Sequence, residues 1–392
     1  VTKITHIITD LAPGGAELLL YRVLGAMDSS RFENEVISLT DRGGLGPKLQ
    51  AMGIPVRALE MRRSVPNPLN LVRLCRWLRQ SNPGVVHTWM YHANLIGGLA
   101  ARLAGEIPVA WSIHQADLDR EWNKRLTLWT ATCCARLSRW LPKRVVFVSN
   151  ASLHVHARYG YTASSMEVIP NGFDLCQFRP DPTAAFALRQ ELAIPADALV
   201  IGMASRFHPQ KDHHNFIQAA AHLRAATPHV HFVLCGRGVT HDQPQLSEWI
   251  SRAGIEAHCR LLGERNDLPR LFAAMDIATS SSASEAFPLA VGEAMACGTP
   301  CVVTDVGDSA LIVGDTGRVV APRNPLALAG AWRELIAAGG EGRRVLGTAA
   351  RRRIQQHFDL SAIVERYQAM YLQLGGDTPR GVPSSGIAEF AK

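Results

Sequence analysis

Short, nearly continuous apolar runs alternate along this chain with longer segments whose apolar positions recur every three or four residues. The first pattern predicts strands buried on both faces, and the second predicts helices with one buried stripe. In the first part of the chain, strands are expected over residues 4–9, 34–40, 54–60, 84–89, 107–113, 144–149 and 166–169. Helices are expected to about Met27 and Met52 and over 68–80, 92–104, 120–141 and 150–159. The alternation then repeats, with strands 199–205, 230–235, 259–262, 276–280, 300–305 and 317–321. Its helices are 213–227, 288–297, 325–338, 341–357 and 361–373. Regular strand–helix order means parallel, doubly wound α/β sheets, and 392 residues are enough for two domains, each with its own core. The turn-rich segments Pro170-Asn-Gly-Phe-Asp174 and Arg179-Pro-Asp-Pro182 place the boundary at 172–182. Domains are thus expected over 1–172 and 183–360, and the Gly/Pro/Ser-rich residues 375–392 are expected to be disordered.

One stretch concentrates the candidate chemistry: Ser284-Glu285-Ala286-Phe287-Pro288-Leu289, continuing through Glu293 to Gly298. Pro288 suits the first position of a helix and Gly298 its C-terminal cap. The backbone amides around Phe287, Leu289 and Ala290 would form the positive end of that helix, an anion site that needs no side chain. Glu285 precedes this end, and Glu293 follows Pro288 by a rise of roughly 7–8 Å. Carboxylates do not bind phosphate but accept hydrogen bonds from sugar hydroxyls, so the order hydroxyl, phosphate, hydroxyl describes a sugar nucleotide. Two glutamates alone read more readily as a solvated loop acid and a helix-surface acid; context decides between the readings.

That context begins upstream, where strand 199–205 ends in Arg206-Phe-His-Pro-Gln-Lys211, putting both cations at the C-terminal edge of a parallel sheet, where ligands of open α/β folds sit. The sequence Arg-x4-Lys, then Glu-x7-Glu enclosing Phe-Pro-Leu, then Glu-Ala-Met-Ala-Cys-Gly-Thr-Pro resembles the family 4 retaining glycosyltransferases of GT-B fold, over roughly residues 4–373. The resemblance implies two Rossmann-like domains facing a central cleft, acceptor domain first and sugar-nucleotide domain second, with the last helix (361–374) crossing back to the first domain. It also implies a metal-independent reaction without cofactor, in which Arg206 and Lys211 neutralise the leaving diphosphate, Glu293 holds the ribose and Glu285 holds the transferred sugar. The leaving phosphate oxygen takes the acceptor proton on the same face, so no hydrolase-type carboxylate pair is required.

By the same resemblance, Gly14 and Gly15 face the donor phosphates. Gly236 and Gly238 approach the nucleotide, and Arg265 belongs to the loop that touches the base. His114, at the end of strand 107–113, faces the reacting sugar, while His87, His92 and Asn94 belong to an acceptor-side loop. Taken without the family, Gly14-Gly15 could be no more than a tight turn, and one histidine among 15 is usually structural. Leu11-Ala-Pro-Gly-Gly-Ala-Glu17 is not Gly-x-Gly-x-x-Gly, which disfavours a nicotinamide cofactor. His208, His213 and His214 surround Lys211 but lack a zinc-ligand pattern. Ala286 stands where the family frequently has glycine, at a position bearing on sugar preference.

Charge changes the picture in one respect. Residues 1–175 hold 20 of the 41 Lys and Arg but only 13 of the 34 Asp and Glu, so the whole formal charge of +7 lies in the first domain. Donor binding in the second domain does not explain it. Arg73, Arg76, Trp77 and Arg79, and again Arg136, Arg139, Trp140, Lys143 and Arg144, combine cations with rings in a way suited to an anionic membrane surface, although a solvated basic face is the plainer reading of either set. The expected acceptor is a glycan or lipid-linked glycan of surface polysaccharide assembly, the expected donor a UDP-sugar, and nucleic acid is not an expected partner. With no signal-peptide pattern after Val1, no apolar run long enough to span a membrane and eight cysteines outside any disulfide or zinc spacing, the expected location is the cytoplasm, at the inner membrane face. A sugar-nucleotide-binding scaffold and a GT-B epimerase would share the motifs. A phosphorylase would need a pyridoxal phosphate lysine, and after residue 175 only Lys211 and Lys392 exist.

Overall fold

The computed structural model describes residues 1–61, 68–162 and 165–376. It contains two parallel sheets. The first is built from β1 (Thr2–Ile8), β2 (Phe32–Ser38), β3 (Val56–Ala58), β4 (Val85–Trp89), β5 (Val109–Ile113), β6 (Arg144–Phe147) and β7 (Met166–Val168), in the order β3-β2-β1-β4-β5-β6-β7. The second is built from β8 (Leu199–Ala204), β9 (Val230–Cys235), β10 (Cys259–Leu261), β11 (Ile277–Ser280), β12 (Cys301–Thr304) and β13 (Arg318–Val320), in the order β10-β9-β8-β11-β12-β13. Every residue of β4, β5, β9, β11 and β12 is buried, as strands covered by helices on both faces must be.

Strand order reverses between β1 and β4 and again between β8 and β11, which are paired neighbours. Loops after those strands diverge to opposite faces and leave a crevice. Gly14, Met90, Arg206, Lys211 and Glu285 all follow one of these four strands. Strand and helix limits fall within a few residues of those expected from the apolar pattern, but helices Ala184–Glu191, Pro244–Ala253, Leu268–Ala274 and Ser309–Val313 are additional. Ala184–Glu191 buries only Ala184 and Leu188, too sparse a stripe to register as a helical period, whereas Pro244–Ala253 sets Leu246, Trp249, Ile250 and Ala253 on the core at helical spacing, a stripe absent from the helices expected above.

The chain passes between the domains twice, and the two passes lie side by side. Phe173 N donates to Phe358 O at 2.9 Å and Leu360 N to Phe173 O at 3.1 Å. A Cβ on Gly172 would lie 2.8 Å from Leu360 Cα, so only glycine permits this approach. Helix Leu360–Gly375 then covers the first domain with Ile363, Val364, Tyr367, Met370 and Tyr371. Of the tail expected to be disordered, residues 377–392 lie outside the described ones.

Candidate functional site

The loops after β8 and β11 are stapled to one another before any ligand is considered. Ala283 N donates to Gln210 O at 2.8 Å, and Ser281 Oγ donates to the carbonyls of Lys211 and Asp212 at 3.1 and 3.0 Å. This fixes Lys211 beside Glu285, with which it forms an ion pair, and Ser282 Oγ donates to the same carboxylate oxygen at 2.8 Å. Both side chains are largely buried. Arg206 is exposed at the crevice. Its loop leans on Gly236, whose φ of +140° and contact with Ser205 O, 2.1 Å from where a Cβ would be, admit no side chain. Gly238 also has a positive φ, +77°.

Pro288 caps helix Leu289–Ala296 and does not begin it, a shift of one residue from expectation. Phe287 packs its ring between Phe173 and Phe358, at centroid distances of 6.1 and 5.6 Å, so its side chain belongs to the core beneath the interdomain passes. Only its main chain is left for a ligand. Glu293 is buried on the same helix. Across the crevice Gly14 caps helix Gly15–Ala26, and a Cβ on Gly15 would lie 3.9 Å from Leu289 Cδ1. Two helix N-termini therefore face one cleft, with Arg206, Lys211, Glu285 and Glu293 around it. Such an arrangement binds a polyanion flanked by hydroxyl-bearing groups.

The sequence is covered by two family matches that divide at the interdomain passes: the family described as Glycosyltransferase Family 4 over residues 13–177, and that described as Glycosyl transferases group 1 over residues 185–353. The chain is a family 4 glycosyltransferase. It is 27% identical over 250 residues to the UDP-Gal:alpha-D-GlcNAc-diphosphoundecaprenol alpha-1,3-galactosyltransferase of Escherichia coli, a match spanning 62% of this chain and 63% of that one. It is also 27% identical over 327 residues to a glycogen synthase of Mycobacterium tuberculosis, covering 80% of this chain and 74% of that one. Among solved structures, Anabaena HepE in complex with UDP superposes with a TM-score of 0.84 at 26% identity, covering 95% of this chain and all of the other. The same protein in complex with UDP-glucose gives 0.83 at 25% identity.

Not every residue singled out from the sequence of the glycosyltransferase reaches its crevice. His87 is fully buried, its Nδ1 2.7 Å from Tyr371 Oη and its Nε2 2.7 Å from Ser112 Oγ. It anchors the last helix and is not on an acceptor loop. Asn94 is likewise internal, accepting from Thr88 Oγ1 at 2.7 Å and donating to Ser112 O at 3.2 Å. His92 is only half-buried, and burial lowers its pKa. The guanidinium of Arg265 is taken up by Asp267 at 2.7 Å and Glu191 at 2.8 Å, a network that Arg270 extends and that holds both carboxylates below their ordinary range. Its side chain thus works within its own domain.

His114 stacks on Trp89 at 5.4 Å, and burial pushes its pKa down to about 3, so the ring is neutral with Nε2 buried and unpartnered. The rings around Lys211 are committed locally: His208 Nδ1 accepts from Gln210 N at 3.3 Å, His213 Nε2 lies 3.4 Å from Ser205 Oγ, and His214 packs on Trp249. Among the described residues no group of three or more His, Cys, Asp or Glu could hold a metal ion.

Sequence reasoning missed four polar contacts that join the domains. Arg22 Nη2 meets Glu293 Oε1 at 2.5 Å, and Ser284 Oγ donates to Asp117 Oδ2. Asp308 accepts from Asn150 N and Ala151 N at 2.8 and 3.0 Å, capping a helix of the other domain. Arg323 pairs with Glu121 at 2.9 Å. The available signal was a lone arginine in the middle of a largely apolar helix: Arg22 is the one cation of Gly15–Ala26.

Proposed function

We propose that this glycosyltransferase moves a sugar, with retention of configuration, from a UDP-sugar to a lipid-linked glycan during surface polysaccharide assembly. The observation that carries the donor half is the closed polar frame in which Lys211 and Glu285 share one loop junction while two helix N-termini face each other across the cleft. In the free protein Lys211 and Glu285 neutralise one another. A diphosphate drawing Lys211 away frees Glu285 to accept hydrogen bonds from sugar hydroxyls, while Arg206 and the amides of Leu289 and Ala290 stabilise the charge that grows as the sugar departs. Glu293 has Oε2 left for ribose, its Oε1 being held by Arg22. His114, neutral and at the end of β5, can accept or donate one hydrogen bond to the reacting sugar without adding charge.

Support for a lipid-linked acceptor comes from the first domain's surface and from the Escherichia coli relative, whose name specifies a diphosphoundecaprenol-linked acceptor. On the neighbouring helices Pro68–Ser81, Tyr91–Gly105 and Arg125–Leu137, and just beyond, Val72, Leu103, Leu126, Trp129 and Trp140 are all more than half exposed. Arg76, Arg136 and Arg139 are exposed beside them, a mixture suited to anionic headgroups over an apolar boundary. Arg79 differs, since it donates to the carbonyls of Leu103 and Ala104. No helix among the described residues is long and apolar enough to cross a membrane.

The test is to incubate the protein with UDP-, GDP- and ADP-sugars, with and without undecaprenyl-diphosphate-linked sugars, and follow products by mass spectrometry. UDP-sugar consumption that rises with the lipid-linked acceptor is expected. Turnover confined to another base overturns the donor assignment, and transfer only to water-soluble acceptors overturns the lipid-linked one.

A further inference from the structure

Helix Gly15–Ala26 aims its positive end into the cleft, yet its first turn carries an acid. Glu17 is only 7% exposed, and its Oε2 hangs back over Gly14, 2.4 Å from where a Cβ there would be. The ionisable groups acting on it come from both sides of the cleft: Asp10 from the loop after β1 and Arg206 from the loop after β8. An ionised first-turn carboxylate is ordinarily favourable, because it answers the helix dipole. Here the same carboxylate would draw on both the dipole and Arg206, the two positive elements that a diphosphate at this place requires. A diphosphate diester carries two negative charges, and a third buried beside them in a low-exposure cleft is costly.

We propose that Glu17 is a positioning residue of the donor site that takes up a proton when the diphosphate enters between Arg206, Lys211 and the two facing helix N-termini. A protonated Glu17 leaves the helix end and Arg206 to the phosphates and adds a hydroxyl donor beside them. This rests on the donor reading above. Burial already pushes the carboxyl up to about 7 in the free protein, with Asp10 raising it and its own backbone amide and Arg206 holding it down. Bound phosphates raise it further. Below about pH 7 Glu17 is protonated before and after binding, and affinity is at its full value. Above it, binding must draw a proton from solution, so affinity falls as pH rises, by up to about tenfold per pH unit for one coupled proton.

The experiment is calorimetry of UDP-glucose binding to the full chain between pH 6 and 8.5, in buffers of different ionisation enthalpy. UDP-glucose serves as probe because its diphosphate is a diester without the phosphate ionisation near pH 6 that UDP itself carries. Uptake of about one proton at pH 8 is expected, with affinity declining above pH 7. Glu17→Gln should abolish the uptake and bind at pH 8 as the native chain does at pH 6, whereas Glu17→Asp should restore a pH-dependent affinity. His208, which lies near both Arg206 and Lys211, is tested by His208→Gln, which should leave the uptake in place. Binding without proton uptake, or a Glu17→Gln variant that retains it, overturns the assignment. If Glu17→Gln does not fold, the proton count on the native chain decides. Failure of both UDP and UDP-glucose to bind at every pH overturns the donor reading and this assignment with it.

Discussion

Arg22 Nη2 and Glu293 Oε1 meet at 2.5 Å across the cleft, each side chain almost wholly buried. The helix of one domain that faces the donor is thereby tied to the helix of the other that would hold its ribose. Arg22 also lies over the ring of Phe178 at 5.5 Å. Removing one partner of a buried pair leaves the other charge uncompensated, at a cost of about 3–5 kcal/mol. Arg22→Met should therefore lower the melting temperature and expand the particle in small-angle scattering. Arg22→Met combined with Glu293→Gln should recover much of the stability; a single variant as stable and compact as the native chain would refute the pairing as an interdomain tie.

Glu293→Gln by itself is expected to weaken nucleotide binding measured by calorimetry, because one acceptor for ribose hydroxyls becomes a donor amide. Equal affinity would leave Glu293 with only its partnership to Arg22.

Lys211→Ala and Arg206→Ala should each lower transfer by about 10²–10³, the usual loss when one preorganised charge stabiliser is removed, with circular dichroism unchanged. Lys211→Ala has a second consequence: Glu285 loses its neutralising partner. Donor binding should consequently fall more in this variant than in Arg206→Ala, and Glu285→Gln on the Lys211→Ala background should restore part of it. Transfer should persist in EDTA; a full loss reversed by a divalent ion would return attention to the histidines around Lys211.

Acid should destabilise the fold before it protonates most carboxylates. Burial pushes the pKa of each of His6, His156 and His213 down to about 4, whereas an unfolded chain returns them to about 6.5. Their contribution is complete above about pH 6.5 and is lost as pH falls toward 4, at up to about 1.4 kcal/mol per pH unit for each. Glu17, Glu167 and Asp308 act in the opposite sense, since burial raises all three carboxyls, but His87, His114 and His231, whose rings burial also holds neutral, add to the first three. A melting temperature that drops between pH 7 and 5 is expected, and one that holds or rises would contradict the buried neutral rings.

Contact with anionic membranes is expected to depend on rings as well as cations. Trp129→Ser with Trp140→Ser, and separately Arg136→Glu with Arg139→Glu, should each reduce co-sedimentation with phosphatidylglycerol liposomes. Each lost cation is worth about 1 kcal/mol at such a surface, and the native association should weaken with salt. Absence of sedimentation at low salt would favour a water-soluble acceptor.

The sheets were legible because parallel strands covered on both faces must be apolar throughout, and Val85-Val-His-Thr-Trp89 or Val230-His-Phe-Val-Leu-Cys235 leave few other readings. Glu285 and Lys211 were legible because each sits in a motif with fixed spacing next to a strand end. His87 was misread for a physical reason. A polar residue on a central strand can face a crevice or a later element, and the element that claims it, Tyr371, lies 284 positions downstream. Arg22 and Glu293 are 271 apart. No local period encodes such a partner. Arg265 shows the complementary limit, since Glu191, on a helix the apolar pattern does not reveal, captured the side chain.

The last helix also sets an order of events during synthesis. His6, His87 and Trp89 lie on β1 and β4, among the first strands made, yet the rings that cover them, Tyr367 and Tyr371, are nearly the last described residues to leave the ribosome. Until then the first sheet carries an uncovered aromatic face and a His87 whose Nδ1 lacks its partner, and the second domain has to form on the growing chain while its predecessor is unfinished. A ribosome that stops short of residue 360 releases no independent N-terminal half. It releases a sheet lacking one of its layers, a species that chaperones would hold and proteases would clear.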